Sequence, residues 1–99
     1  MIVAWTDAAL RDLAALRAYI AQGNPAAADR QVTIIVEAAF GLAQFPNSGR
    51  AGRRAGTREL IVGRTPYLVP YRVRGECIDI LRGLHGRQRW PSDLEGTSQ

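Results

Sequence analysis

The chain contains no lysine, so the 13 residues counted as lysine or arginine are all arginine. It also contains only one cysteine and no long apolar run. Cys77 alone rules out an internal disulfide and a cysteine-built metal site. No apolar run reaches the length that a membrane-spanning helix needs. The segment that starts at Met1 lacks the basic region and apolar block of a signal peptide. We therefore expect a cytoplasmic protein without membrane association, metal or cofactor.

The arginines are concentrated in the second half of the 99-residue chain. Residues 50–90 hold ten arginines against three acidic residues, whereas residues 1–49 hold three arginines against four acidic residues. Such asymmetry indicates that the second half meets a polyanion or an acidic protein. The alternative is that arginine replaces lysine and only solvates the surface.

The first half of the chain predicts one strand and two helices. Residues 2–5 form a short apolar run typical of a strand. Thr6 is a suitable N-cap, and apolar residues at helical spacing predict a first helix over about residues 7–22. Asn24 followed by Pro25 predicts the cap and first position of a second helix, which ends near Gln44. Together they predict a helical hairpin.

The second half changes to the alternating period of strands. Three segments are candidate strands: residues 58–62, 67–73 and 77–84. Their connections are short, which predicts an antiparallel meander. Pro70 has no amide hydrogen for a ladder bond, so we expect a bulge or an edge position there. Residues 1–91 should form a single domain and residues 92–99 a polar tail.

The order β-α-α-β-β-β predicts an α+β domain, in which the N-terminal helical hairpin packs on one face of a small antiparallel sheet. Two helices cannot cover both faces. On the last strand, Ile78 and Ile80 face one side, and Cys77 and Leu81 face the other. We therefore expect apolar residues on an open second face and a partner that covers them.

Several ordered segments resemble the ParE-like branch of the RelE/ParE toxin superfamily. They are WTDAA at residues 5–9, with Leu13, Tyr19 and Ile20 in the following helix, NPAAA at 24–28, FPNSGR at 45–50, GTREL at 56–60, PYLV at 66–69, YRV at 71–73, IDIL at 78–81 and LHGRQRWP at 84–91. Together they cover about residues 2–91. The resemblance implies the RelE/ParE-like toxin fold.

The resemblance also implies a function. Members are toxins of bacterial type II toxin–antitoxin systems, including plasmid stabilisation systems. They stop growth when they are free. A cognate antitoxin, whose C-terminal segment wraps the toxin, silences them. The usual target of ParE-like members is DNA gyrase, and that of RelE-like members is mRNA in the ribosomal A site. The shared fold does not choose between these targets. A relative whose toxicity has decayed is a third possibility.

The residues disfavour the RelE mechanism. RelE-type enzymes place two lysines on the second strand, and the matching positions here are Glu59 and Ile61. Their third-strand arginine falls on Leu68 and their C-terminal tyrosine falls near Asp93, so only the arginine after the fourth strand is present, as Arg87. A site that exchanges cations for a carboxylate and aliphatic side chains is a poor place for a scissile phosphate.

One ribonuclease alternative remains open. His85 is the only histidine, a residue type suited to acid–base work near neutral pH, and with Arg87 it would be a small RNA-cleaving site. A lone histidine at a strand end before a glycine more often makes a local hydrogen bond. The sequence places no acid or tyrosine to complete such a pair.

We therefore predict an inhibitor that acts by protein binding, without enzymatic activity and without direct sequence-specific binding of nucleic acid. The antitoxin segment would add to the toxin as a strand and an amphipathic helix. Four arginines are candidates for contacts with acidic antitoxin residues: Arg58, Arg64, Arg72 and Arg82. Four residues after the last strand are candidates for contact with the gyrase target: His85, Arg87, Arg89 and Trp90.

Overall fold

The computed structural model describes residues 1–87. Their elements are β1 (Ile2–Trp5), α1 (Asp7–Ala21), α2 (Pro25–Phe40), a 3-10 turn (Gly41–Ala43), β2 (Arg50–Ala51), β3 (Arg58–Ile61), β4 (Tyr67–Arg74), β5 (Cys77–Ile80) and β6 (Leu84–His85). The predicted helical hairpin and antiparallel meander are confirmed. Within the described residues, neither helix has the length and apolar content to cross a membrane. The predicted tail at residues 92–99 lies outside this range.

Side-chain caps fix where both helices begin. Thr6 Oγ1 accepts a hydrogen bond from the Ala9 amide at 3.1 Å, and Asn24 Oδ1 accepts one from the Ala27 amide at 3.0 Å. Each bond satisfies an amide that the first helical turn leaves without a partner. Thr6 Oγ1 also donates to the Leu81 carbonyl at 3.0 Å, which ties the start of α1 to the chain that follows β5.

The sheet is mixed because of its first strand. The strand order is β1-β5-β4-β3-β2, and β6 also pairs with β4. Strands β2 to β5 pair antiparallel, as predicted for the meander, but β1 runs parallel to β5, with Ile2 opposite Cys77 and Trp5 opposite Ile80. The short β2, which the sequence did not predict, adds one reversal of chain direction before β3. That reversal leaves β5 pointing the same way as β1.

The core lies between the helical hairpin and one face of the sheet. Ile35 of α2 is 1% exposed, and Val69, Tyr71, Ile78 and Ile80 of the sheet are 0% exposed. Their alternation along β4 and β5 is the period that the sequence predicted. Each fully buried large apolar side chain stabilises the fold by about 1.5–3 kcal/mol, so burial of this layer stabilises the packing of the hairpin on the sheet.

The second face of the sheet has a buried part and a charged part. Leu68 is 5% exposed and Leu84 is 0% exposed, whereas towards the β4–β5 turn Arg74 Nε donates to Asp79 Oδ2 at 2.8 Å. The expectation of an open apolar face is therefore wrong at Leu81, which is 1% exposed.

On this second face, two large apolar side chains among residues 1–87 remain exposed towards the edges of the sheet. Ile2 on β1 is 66% exposed and Ile61 on β3 is 52% exposed. The sequence pattern did not distinguish these edge positions from the centre of the sheet.

Pro70 lies in the central strand β4, and the bulge predicted for it is confirmed on the neighbouring strand. Tyr71 pairs with Ile80 and Leu68 pairs with Leu84, so the three residues 81–83 face only two residues of β4. The Pro70 carbonyl accepts from the Leu81 amide at 2.9 Å. Its ring nitrogen points to the same side and cannot donate. The strand predicted at 77–84 is therefore interrupted between β5 and β6.

Candidate functional site

The bulge at residues 81–83 is held by a carboxylate on α1. Arg82 Nε donates to Asp12 Oδ2 at 2.6 Å and Arg82 Nη2 donates to Asp12 Oδ1 at 3.0 Å. The Gly83 amide donates to Asp12 Oδ2 at 3.0 Å. Both charged side chains are only 16% exposed. The Arg82 guanidinium, a predicted antitoxin contact, is thus engaged by this chain in a planar bidentate pair.

The predicted target-contact segment begins at β6. His85 lies opposite Tyr67 in the sheet, and the two rings meet edge to face with centroids 5.6 Å apart. His85 Nδ1 accepts a hydrogen bond from the Arg87 amide at 3.1 Å, which is the local bond expected of a histidine at a strand end. Arg87 is exposed. The other two predicted contacts, Arg89 and Trp90, lie outside the described residues.

Tyr67 is a neighbour of His85 that sequence reasoning missed. Partial burial, and then the nearby Tyr19, raise the pKa of the Tyr67 hydroxyl above its usual value of 10.0, so this hydroxyl is protonated at neutral pH. Arg74 pairs with Cys77 at the β4–β5 turn. If that register continued along β4, Tyr67 would lie opposite Leu84. The one-residue bulge moves its partner to His85. The signal was Pro70, which marked the bulge without fixing its size.

A buried carboxylate anchors the arginine-rich loop between β2 and β3. Glu59 is 1% exposed. Its Oε1 accepts from Arg50 Nη2 at 2.9 Å, and its Oε2 accepts from the Arg53 amide at 3.0 Å. The loop is also closed by a bond from the Gly52 amide to the Thr57 carbonyl at 2.9 Å. The Glu59 carboxylate is therefore satisfied by the chain's own donors.

The four arginines predicted for antitoxin contact do not share one surface. Arg58 Nη1 donates to the Gly49 carbonyl at 2.8 Å and so supports the loop before β2. Arg72 lies on the second face of the sheet, opposite Asp79. Arg64 is exposed in the β3–β4 turn, where its φ of 66° places it in the left-handed region. Arg64 lines a cavity together with residues of α2.

Arg64 lies beside a groove along α2. Two cavities of about 350 and 340 Å³ share Ile34 and Arg64 in their walls. Ala38 and Val62 give the second cavity apolar walls. Strand β2 pairs only with Arg58 and Glu59 of β3, so within residues 1–87 the outer edge of β3 beyond them carries no neighbouring strand. An open strand edge beside an apolar groove is the geometry that takes up an extended peptide.

Among residues 1–87, no three histidine, cysteine, aspartate or glutamate side chains are grouped as a metal ion would require.

A helical hairpin on a sheet of this strand order is the architecture of small toxins in the RelE/ParE superfamily. The family model described as the ParE toxin of the type II toxin–antitoxin system, parDE, matches residues 3–90. The chain therefore belongs to the ParE toxin family.

Several relatives agree with this family. The chain is 44% identical over 92 residues to a Sinorhizobium fredii protein named toxin Y4kP, covering 93% of this chain and 95% of that protein. It is 42% identical over 83 residues to toxin RelE2 of Caulobacter vibrioides, covering 84% of this chain and 92% of that protein.

A solved structure matches as well. The chromosomal ParDE TA system from P. aeruginosa superposes with a TM-score of 0.77 at 34% identity, covering 86% of this chain and 95% of that chain. The chain is thus a toxin of a type II toxin–antitoxin system. Its relatives carry both ParE and RelE names, which leaves the choice of target to the residues.

Proposed function

We propose that this toxin stops bacterial growth by binding and poisoning DNA gyrase, and that a cognate antitoxin neutralises it by occupying the groove beside α2. The observation that carries the choice of target is the buried, internally paired carboxylate of Glu59. It stands where the RelE-type mechanism would require a cation.

Cleavage of RNA through its 2′-hydroxyl needs positive charge around the phosphorane. At the two positions aligned with RelE-type lysines, the chain has Glu59, whose side chain is 2% exposed, and the aliphatic Ile61. At the position aligned with the third-strand arginine it has Leu68, which is 5% exposed. Arg50 and Arg53 lie near Glu59 and compensate its charge. This arrangement favours inhibition by protein binding over RNA cleavage.

Shape and charge support an antitoxin site beside α2. The edge of β3 offers backbone groups for an added strand. The half-buried Ile34 and Ala38 offer an apolar surface for side chains of that strand or of an amphipathic helix. Arg64 would pair with an acidic antitoxin residue at the rim. The neighbouring Asp29 is already paired with Arg17 at 2.7 Å.

A ribonuclease is the second candidate, because Tyr67 lies against His85. In that reading His85 would take the proton of the 2′-hydroxyl, Tyr67 would donate one to the leaving oxygen, and Arg87 would stabilise the phosphorane charge. The geometry supplies the tyrosine that the sequence did not place. The contact between Tyr67 and His85 favours RNA cleavage. The lack of cations at Glu59, Ile61 and Leu68 argues against RNA cleavage more strongly.

The deciding experiment combines purified toxin, gyrase and supercoiled plasmid DNA. We expect accumulation of gyrase-cleaved linear DNA, together with filamentation and an SOS response in cells that express the toxin alone. Primer extension on abundant mRNAs should show no new ends. New mRNA ends that disappear in Tyr67→Phe and His85→Ala, with gyrase unaffected, would reverse the assignment. A chain that arrests nothing would be a decayed toxin.

The partner in the cell is identified from the neighbouring gene. We expect a small reading frame that abuts or overlaps this one and encodes an acidic, amphipathic C-terminal segment. Its co-expression should abolish growth arrest, and the two proteins should copurify. Arg11→Gln, which removes an exposed arginine of α1 outside the groove, is the charge-matched control for variants of Arg64.

A further inference from the structure

We propose that Asp12 is a positioning residue for the target-contact segment. Its carboxylate, on α1, fixes the register in which the chain leaves the bulge. That register sets the side on which His85 and Arg87 project. This inference rests on the proposed function for the role of that segment in target binding. The positioning itself is a property of the free toxin and is tested separately below.

At the bulge, the backbone amide of Gly83 donates its hydrogen bond to a side chain outside the sheet. Residues 81–83 face only two residues of β4, and the extra residue of a bulge is left out of the ladder. The Leu81 amide reaches the Pro70 carbonyl at 2.9 Å. The Gly83 amide instead donates to Asp12 Oδ2 at 3.0 Å. Asp12 therefore acts as the acceptor for the strand where β4 supplies none.

The same carboxylate also fixes the side chain before Gly83. Both of its oxygens accept from Arg82, at 2.6 and 3.0 Å, across 70 positions of sequence. Both side chains are 16% exposed, so this pair is less screened by water than a surface ion pair. Three hydrogen bonds from two consecutive residues leave the bulge little freedom to rotate about Asp12.

The register at the bulge determines on which side of the strand His85 and Arg87 project. Only Leu84, which is 0% exposed, lies between Gly83 and His85. Because side chains alternate across a strand, a slip of one residue would turn Leu84 outward and move His85 away from Tyr67. The Asp12 contacts and the burial of Leu84 select the same register. His85 and the exposed Arg87 therefore emerge on a defined side.

The test compares Asp12→Ala, Asp12→Asn and Arg82→Lys with the wild-type toxin. In Asp12→Ala we expect the hydrogen-exchange protection of the Gly83 amide to fall by about tenfold or more, as for loss of a hydrogen bond to a charged group. The NMR shifts of the His85 ring protons, which the Tyr67 ring perturbs, should move towards those of an unstacked histidine. Asp12→Asn keeps an acceptor oxygen, so its protection should be intermediate.

The functional readout separates positioning from general destabilisation. Gyrase poisoning should fall by about tenfold in Asp12→Ala, while antitoxin affinity stays within about twofold, since the groove beside α2 is not altered. Arg82→Lys keeps the charge but loses the bidentate geometry, and it remains a test if Asp12→Ala does not fold. Asp79→Asn is the matched control: it breaks another bidentate Arg–Asp pair, with Arg74, and should leave poisoning unchanged.

Two outcomes would overturn the proposal. One is unchanged Gly83 protection and an unchanged His85 spectrum in Asp12→Ala. The other is equal loss of poisoning in Asp12→Ala and in the Asp79→Asn control. If the wild-type toxin does not poison gyrase, the proposed target fails, whereas the exchange and NMR measurements still decide whether Asp12 positions the segment.

Discussion

The hydroxyl of Tyr71 accepts a hydrogen bond from the Gly49 amide at 2.9 Å and donates one to the Pro46 carbonyl at 2.7 Å. Tyr71 is 0% exposed, so a core side chain of β4 holds the loop that leads from the helical hairpin into the sheet. The phenol ring fills the core, and its polar atom organises the connection.

Tyr71→Phe should lower the free energy of unfolding by about 1–3 kcal/mol, because it leaves a buried amide and a carbonyl without their partner while keeping the ring. Urea denaturation measures the change. Tyr19→Phe is the control, since Tyr19 is 74% exposed and its replacement should have little effect. Equal stability of Tyr71→Phe and the wild type would show that the loop is held by other contacts.

Glu59→Gln should loosen the loop between β2 and β3. The neutral amide keeps the size of the side chain but weakens the bonds from Arg50 and the Arg53 amide, with a cost of about 1–3 kcal/mol. Hydrogen exchange at the Arg53 amide reports the loop, and urea denaturation reports the whole domain. Glu76→Gln, in the exposed β4–β5 turn, should change neither. Undiminished protection at Arg53 would contradict the anchoring role.

Arg64→Asn tests the antitoxin groove without damage to the fold. Arg64 has a φ of 66°, a region in which asparagine is at less disadvantage than arginine, so the free energy of unfolding should stay equal or rise by up to about 1 kcal/mol. Affinity for the C-terminal segment of the cognate antitoxin should fall, as measured by calorimetry. The prediction fails if affinity falls no more than in Arg11→Gln.

Tyr67 gives the fold a dependence on alkaline pH. Burial, and then Tyr19, raise its pKa above 10.0 in the folded state, so the folded protein favours the neutral hydroxyl. The contribution to stability is fully present below the unfolded pKa of about 10 and is lost as pH rises through the raised folded pKa. The free energy of unfolding of Tyr67→Phe should decline less steeply above pH of about 10. Parallel profiles would contradict the burial of this hydroxyl.

Local chemistry explains the parts of the fold that the sequence predicted. Thr6 and Asn24 cap the helices with their own side chains, and the alternation along β4 reflects a strand with one face in the core. Pro70 indicated a bulge because a missing amide hydrogen is visible in the sequence. Each of these signals involves residues a few positions apart.

The remaining features depend on contacts between distant residues. Nothing near Asp12 indicates that its partner is Arg82, because the pair is separated by 70 positions. The meeting of Tyr67 and His85 depends on the size of the bulge, and the parallel placement of β1 depends on the unpredicted β2. For the same reason the sequence did not show that Arg82, predicted as an antitoxin contact, pairs with α1 in this chain.

The pairing of β1 with β5 has a consequence during synthesis. Residues 2–5 are synthesised well before their partners at residues 77–80, which lie near the end of the described residues. Until then the opening strand has no neighbour, and the helical hairpin has no completed sheet to pack against. A nascent chain that stops short of residue 77 would therefore lack the strand that joins β1 to the rest of the sheet.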